Sequence, residues 1–189
     1  KFKDALSAAE ACAVATTTLR AQHPDWQLDP CPLTDGGEGF GETLTTAAHG
    51  EIRTPSVAGP RGQPVKAQLG LITAQNIPAN ATRHLALENN PRVSTAPLAI
   101  VDLSSASGLA LLAPSERDPW QTSTYGTGEL VRLAAEAGAG TILLGVGGSA
   151  TKLEGNVSQT IKMHFQPHLM AAGSVTITAS PGTGFVLGT

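Results

Sequence analysis

The spacing of apolar residues changes character along the chain, and each change marks an element. From Ser7 the pattern is helical: Ser7-Ala8-Ala9-Glu10 is a capping box, in which the serine and glutamate side chains satisfy free backbone N–H groups. Leu6 is placed to staple onto Ala11, and Ala13, Val14 and Leu19 carry an apolar face to about Gln22, where His23-Pro24-Asp25 stops it. Trp26 to Leu33 contains two prolines and reads as an edge strand or an extended connection. A second helix is predicted from about Glu38 to Ala48. Val57-Ala58-Gly59-Pro60-Arg61-Gly62 is turn chemistry, and Val65 to Leu71 alternates apolar with polar or small residues, as a half-buried strand does.

Between Thr73 and Pro97 the periodicity is lost, which predicts an insertion with one short helix. Leu98 to Leu103 is a buried strand, Ser104 to Gly108 a small-residue loop, and Arg117-Asp118-Pro119-Trp120 a second turn. Tyr125-Gly126-Thr127-Gly128-Glu129 opens a helix with Leu130, Val131, Leu133, Ala134 and Ala137 on one side, ended by Gly138. Thr141 to Val146 is a continuous apolar run, the mark of a strand covered on both faces. Strand, helix and strand in that order from Leu98 to Val146 predict a right-handed β-α-β unit in an α/β fold.

Composition narrows the chemistry. The 189 residues, 41% hydrophobic, suffice for a core, and 21 Gly and 13 Pro without a repeat point to loops that bind rather than to disorder. A net charge of −3 without a basic stripe argues against nucleic acid as a partner. The sequence has no apolar run of bilayer length and no secretory pattern at Lys1-Phe2-Lys3-Asp4, so the expectation is a cytoplasmic protein with no membrane partner. Cys12 and Cys31 match no zinc spacing and are expected to be reduced thiols.

Three glycine-rich loops stand at element ends: Asp35-Gly36-Gly37-Glu38-Gly39, Tyr125-Gly126-Thr127-Gly128 and Gly145-Val146-Gly147-Gly148-Ser149-Ala150-Thr151. Loops at the carboxyl ends of strands gather ligands in α/β proteins, and glycine lets backbone N–H groups close on phosphate or carboxylate oxygens. Each loop also has a purely structural reading, since Asp35 with Glu38 is a capping box and a glycine pair can simply turn the chain. The third loop places Gly145, Gly147 and Ala150 in a dinucleotide pattern, but no Asp or Glu follows Glu154 to hold a ribose, which counts against NAD. His164 and His168 are separated by Pro167, which spoils the helix that would align them on a metal. There is no P-loop and no nucleophile elbow. Asp35, on a glycine-flanked loop, is the carboxylate best placed to hold Mg²⁺ or to take a proton from a hydroxyl.

In order and in spacing, Phe2-Lys3-Asp4-Ala5-Leu6-Ser7-Ala8, Thr34-Asp35-Gly36-Gly37-Glu38-Gly39, Gly59-Pro60-Arg61-Gly62-Gln63-Pro64-Val65, Ala106-Ser107-Gly108-Leu109, Tyr125-Gly126-Thr127-Gly128-Glu129-Leu130 and Gly147-Gly148-Ser149-Ala150-Thr151 resemble bacterial glycerate kinases of the type-1 family. The resemblance covers about residues 1 to 151. It implies a two-lobed α/β fold, one lobe with a Rossmann- or flavodoxin-like parallel sheet and the other a second α/β lobe. Residues 1–45 would belong to the Rossmann-like lobe without its first strand, 46–151 to the substrate lobe, and 152–189 form an unassigned tail. It further implies an ATP- and Mg²⁺-dependent enzyme that phosphorylates a hydroxyl of D-glycerate, giving 2-phosphoglycerate. Lys3 would contact phosphate or the glycerate carboxylate, and Asp35 would act as base or metal carboxylate. Gly36, Gly37, Gly147, Gly148, Ser149 and Thr151 would supply backbone and hydroxyl donors, with Arg61 and Ser107 as further substrate contacts.

The chain departs from the family pattern in three places. The family's buried strand ending in Ala-Pro-Asp is expected ahead of Lys1, and Lys152-Leu153-Glu154-Gly155 stands where the family has an Asp and further glycines. From Asn156 to Thr189 there is one Lys and no Asp or Glu, against 15 Asp+Glu in the preceding 155 residues. These departures support an alternative: a catalytically impaired module of the same fold that binds a small carboxylate or phosphate.

Overall fold

The computed structural model describes residues 5–84, 95–147, 176–180 and 184–188. The capping box forms as expected: Ser7 Oγ accepts from Glu10 N at 3.2 Å, and Glu10 Oε2 accepts from Ser7 N at 2.8 Å, opening α1 (Ala8–Gln22). Its apolar positions nevertheless bury nothing, and Val14 and Leu19 are exposed. The Trp26 to Leu33 segment is an extended connection rather than a strand, with Trp26 stacked on His23 at 4.0 Å between ring centroids.

The central sheet carries the core. Its strands are β1 (Glu51–Arg53), β4 (Leu69–Ile72), β5 (Leu98–Asp102), β6 (Thr141–Gly145), β7 (Thr176–Ser180) and β8 (Gly184–Gly188), in the order β1-β4-β5-β6-β8-β7. β5 and β6 run parallel, with Leu98 opposite Thr141 and Asp102 opposite Gly145. The crossover between them contains α4 (Leu103–Ser107) and α5 (Tyr125–Glu136), so the predicted β-α-β unit is present. The other pairings are antiparallel, and the sheet is mixed rather than wholly parallel. β1 and β5 flank β4 antiparallel to it, and β8 adds antiparallel to β6 with β7 beyond it.

Period-two alternation along β5 sorts its side chains between two layers. Ala99 and Val101 join Leu69, Leu71, Leu130, Ala134 and Leu144 on the α5 face. Leu98 and Ile100 join Ile72 and Phe40 on the face covered by α2 (Phe40–Ala47). A strand sandwiched this way has no polar face, which is why its sequence reads as an unbroken apolar run. On α5, Leu130, Val131 and Ala134 are buried, and Gly138 ends the helix region at φ +82°.

Two expectations are corrected. The stretch from Val65 to Leu71 is not one strand: β3 (Pro64–Lys66) pairs with β2 (Ser56–Ala58) in a separate hairpin, and β4 enters the main sheet. The corner between them is held by Ala67 N donating to Pro55 O and Gln68 N donating to Ser105 Oγ, contacts that sequence alternation cannot register. The small-residue stretch after β5 is the helix α4 rather than a loop, because Asp102 caps it by accepting from Ser104 N at 2.9 Å. The insertion holds a 3₁₀ turn at Ala74–Asn76 and α3 (Ala79–His84), in line with its single predicted helix.

Candidate functional site

The carboxyl ends of β5 and β6 are where this topology gathers chemistry, because the strands point there together and the crossover begins there. Three segments meet at this edge. The first is the loop from Asp35 to Gly39, which turns twice through glycines with positive φ, Gly36 at +84° and Gly39 at +81°. Those turns let Asp35 Oδ1 accept from Gly37 N at 3.1 Å and Phe40 N donate to Gly37 O at 3.0 Å. Asp35 is thus an Asx turn and not the cap of α2: the helix starts at Phe40, its N-cap is Gly39, and no local side chain caps it. The side chain of Asp35 remains exposed, and Gly36 and Gly37 are buried.

The second segment is the chain leaving β6. A Cβ on Gly145 would collide with the Phe40 ring and lie 2.8 Å from Gly36 O. A Cβ on Gly147 would lie 2.8 Å from Gly37 Cα and 3.0 Å from Gly37 N. The two glycine loops therefore press backbone against backbone, and their composition is required by this approach. Gly148, Ser149 and Thr151 continue the second loop and lie outside the described residues, as does Lys3.

The third segment carries Asp102, the last residue of β5, which is 2% exposed. Its Oδ1 accepts from Ser104 N at 2.9 Å and from Ser104 Oγ at 2.6 Å, and the backbone N–H groups of Gly41 and Ser105 also face the carboxylate. Burial pushes its carboxyl above the ordinary range, and these donors pull against that rise. Sequence reasoning placed Asp102 inside an apolar strand and assigned it no role. The available signal was an acidic residue ending a fully apolar run.

The other predicted residues sit elsewhere. Ser107 is buried, with its hydroxyl 2.8 Å from Thr127 Oγ1, in the packing of α4 against α5. Arg61 is exposed at the tip of the β2–β3 hairpin, where its guanidinium donates to Glu116 O at 3.5 Å. The loop at Tyr125 to Gly128 is the first turn of α5, and Gly126 there packs against Ala58 O of the hairpin, so it serves helix-to-hairpin packing. A groove of about 340 Å³ lies apart from the glycine loops, between α1 and the Pro30–Pro32 segment.

The exposed carboxylate of Asp35 fits a phosphorylated ligand with Mg²⁺, which takes one or two carboxylates and completes its shell with phosphate and water. Among the described residues, no group of three or more His, Cys, Asp or Glu is placed to hold a metal ion. Among the same residues, no helix is long and apolar enough to cross a membrane.

Residues 1–156 match the model of the glycerate kinase family. The chain is 34% identical over 150 residues to a glycerate kinase of Haemophilus influenzae, which covers 79% of this chain and 34% of that protein. It is 35% identical over 150 residues to glycerate 2-kinase of Escherichia coli, with the same two coverages. A crystal structure assigned as glycerate kinase 2 from Salmonella typhimurium LT2 superposes with a TM-score of 0.57 at 35% identity, covering 80% of this chain and 35% of that one. The chain spans about a third of the length of the curated relatives it matches. With a family model matching most of its length and relatives at this identity, the chain belongs to the glycerate kinase family.

Proposed function

We propose that this chain forms the glycine-loop portion of an ATP-dependent kinase that transfers the γ-phosphate to a hydroxyl of D-glycerate, giving 2-phosphoglycerate. The observation that carries this reading is the meeting of the Gly36–Gly37 and Gly145–Gly147 backbones beside the exposed carboxylate of Asp35, in a chain of the glycerate kinase family. Phosphoryl transfer asks for positioning and charge neutralisation more than covalent chemistry, and paired glycine loops are suited to that. Asp35 takes the hydroxyl proton or holds Mg²⁺, and Lys3 neutralises a phosphate or the glycerate carboxylate. Backbone groups of Gly36, Gly147 and Gly148 and the hydroxyls of Ser149 and Thr151 supply donors, while Gly37, whose N–H is engaged by Asp35 Oδ1, shapes the turn. Bound Mg²⁺ would spread the negative charge of the ATP phosphates. Residues 1–45 are assigned to the Rossmann-like lobe and 46–151 to the substrate lobe, and the protein acts in the cytoplasm.

Glycerate-dependent ADP formation by the full-length protein tests the reading, and its absence in folded protein overturns it. Asp35→Asn should lower turnover at least ~10²-fold, the usual scale of a general-base contribution. Unchanged turnover would leave Asp35 as a turn residue alone. The Lys152-Leu153 pair, standing where the family pattern has an Asp and further glycines, favours a second reading, a module that binds a small carboxylate or phosphate without transfer. Calorimetry with glycerate and with Mg-ATP separately distinguishes it, since that module binds glycerate and produces no ADP.

A further inference from the structure

Helix α2 begins without a cap of its own. Gly39 at the N-cap offers no side chain, and the first intrahelical amide bond of the helix is Thr43 N to Gly39 O at 3.0 Å. That leaves the Gly41 N–H among the orphan donors of the first turn. It faces the carboxylate of Asp102, which comes from a different element, and the approach is close: a Cβ on Gly41 would lie 3.4 Å from Asp102 Cβ. The same carboxylate caps α4 through Ser104 N and is braced by Ser104 Oγ. One buried acid therefore caps α4 and stands against the uncapped first turn of α2.

Those helices are not arbitrary ones. α2 follows directly on the Gly36–Gly39 turns, and Phe40, its first residue, packs where a Cβ on Gly145 would intrude. Asp102 itself pairs with Gly145 across the parallel strands. It thus stands in close contact with the helix that continues one glycine loop and is joined by strand register to the root of the other.

We propose that Asp102 is a positioning residue for the anion site: by capping α2 from the end of β5, it fixes the Gly36–Gly37 backbone against Gly145–Gly147 at the spacing that the transferred phosphoryl group requires. This deepens the kinase reading and rests on it for its catalytic part. The structural part stands independently, because the approach of Asp102 to Gly41 does not depend on phosphoryl transfer. A carboxylate is needed there, since it can accept from several donors at once. An amide keeps one acceptor oxygen and turns an N–H₂ toward a donor.

The test combines exchange on this chain with kinetics on the full-length protein. In Asp102→Asn, amide hydrogen exchange at Gly41 should accelerate at least ~10-fold relative to Leu130 in α5, the order expected for loss of a helix cap. In the kinase assay, kcat should fall ~10²-fold while KM for glycerate changes less than threefold, because displaced loops cost the transition state more than the ground state. Should Asp102→Asn fail to fold, Ser104→Ala keeps the carboxylate, removes one brace, and should show the same exchange and kcat changes at smaller size. Wild-type exchange at Gly41 in a folded variant overturns the cap. Accelerated exchange with wild-type kcat overturns the positioning role. If the wild-type full-length protein forms no ADP, the kinase reading fails and the positioning role falls with it, while the exchange result still decides the cap.

Discussion

Gly126 and Gly128 lie two residues apart in the first turns of α5, yet a methyl group has opposite consequences at each. At Gly126 a Cβ would collide with the carbonyl oxygen of Ala58, a backbone atom that cannot rotate away. The hairpin is also tied there by Ala58 N donating to Glu129 Oε2 at 2.7 Å, so it has little room to retreat. Gly126→Ala should cost about 1 to 3 kcal/mol, the usual range for overpacking. At Gly128 nothing lies within 4 Å of the added atom and the backbone is helical, so Gly128→Ala should gain up to about 1 kcal/mol from helix propensity alone. Urea unfolding of the two variants checks both signs, and equal effects would contradict the packing described.

Among the elements, α1 stands apart: it is well capped, fifteen residues long and buries no side chain. Its stability within this chain is therefore local, resting on the capping box and on backbone bonds, whereas α2 and α5 are held by the sheet. Ser7→Ala should weaken α1 by about 1 kcal/mol, a roughly fivefold faster amide exchange across its first turn. The cooperative melting of the β5–β6 core should stay where it was. A matching drop in the core transition would show that α1 is coupled to the sheet after all. The strands show the converse. β4 and β5 have no polar face to mark them as surface elements, and they are held by neighbours on both sides.

Across the molecule, the buried charge of Asp102 links stability to pH. Burial raises its folded-state pKa, and Ser104, Gly41 and Ser105 oppose that rise without cancelling it. The folded chain then holds this proton more tightly than the unfolded chain. The corresponding stabilisation is complete below the unfolded carboxyl pKa of about 4 and is lost as pH rises through the folded value. Wild type measured against Asp102→Asn, which does not titrate, should therefore be relatively most stable at the acid end and lose ground as pH rises. Melting temperatures of both between about pH 4 and pH 8 check this. A difference that is constant with pH would mean that the carboxyl is not desolvated.

Local physics made part of this legible from the sequence. A capping box spans four residues, so Ser7 and Glu10 announced α1. A strand covered on both faces must be apolar throughout, so Leu98 to Val101 and Thr141 to Leu144 announced β5 and β6, and the apolar side of α5 followed from its 3.6-residue period. The glycine loops were visible as sequence, but the reason for two of their glycines was not, because the group that Gly145 and Gly147 must clear comes from more than a hundred residues earlier. Shorter separations, still beyond any local pattern, hid the split between β3 and β4, the burial of Ser107 against Thr127, and the approach of Asp102 to Gly41. Periodicity and capping are set by neighbours along the chain, and these determined the elements. Close approach, register and desolvation are set by partners across it, and only the tertiary structure decided which loops meet and which acid holds them there.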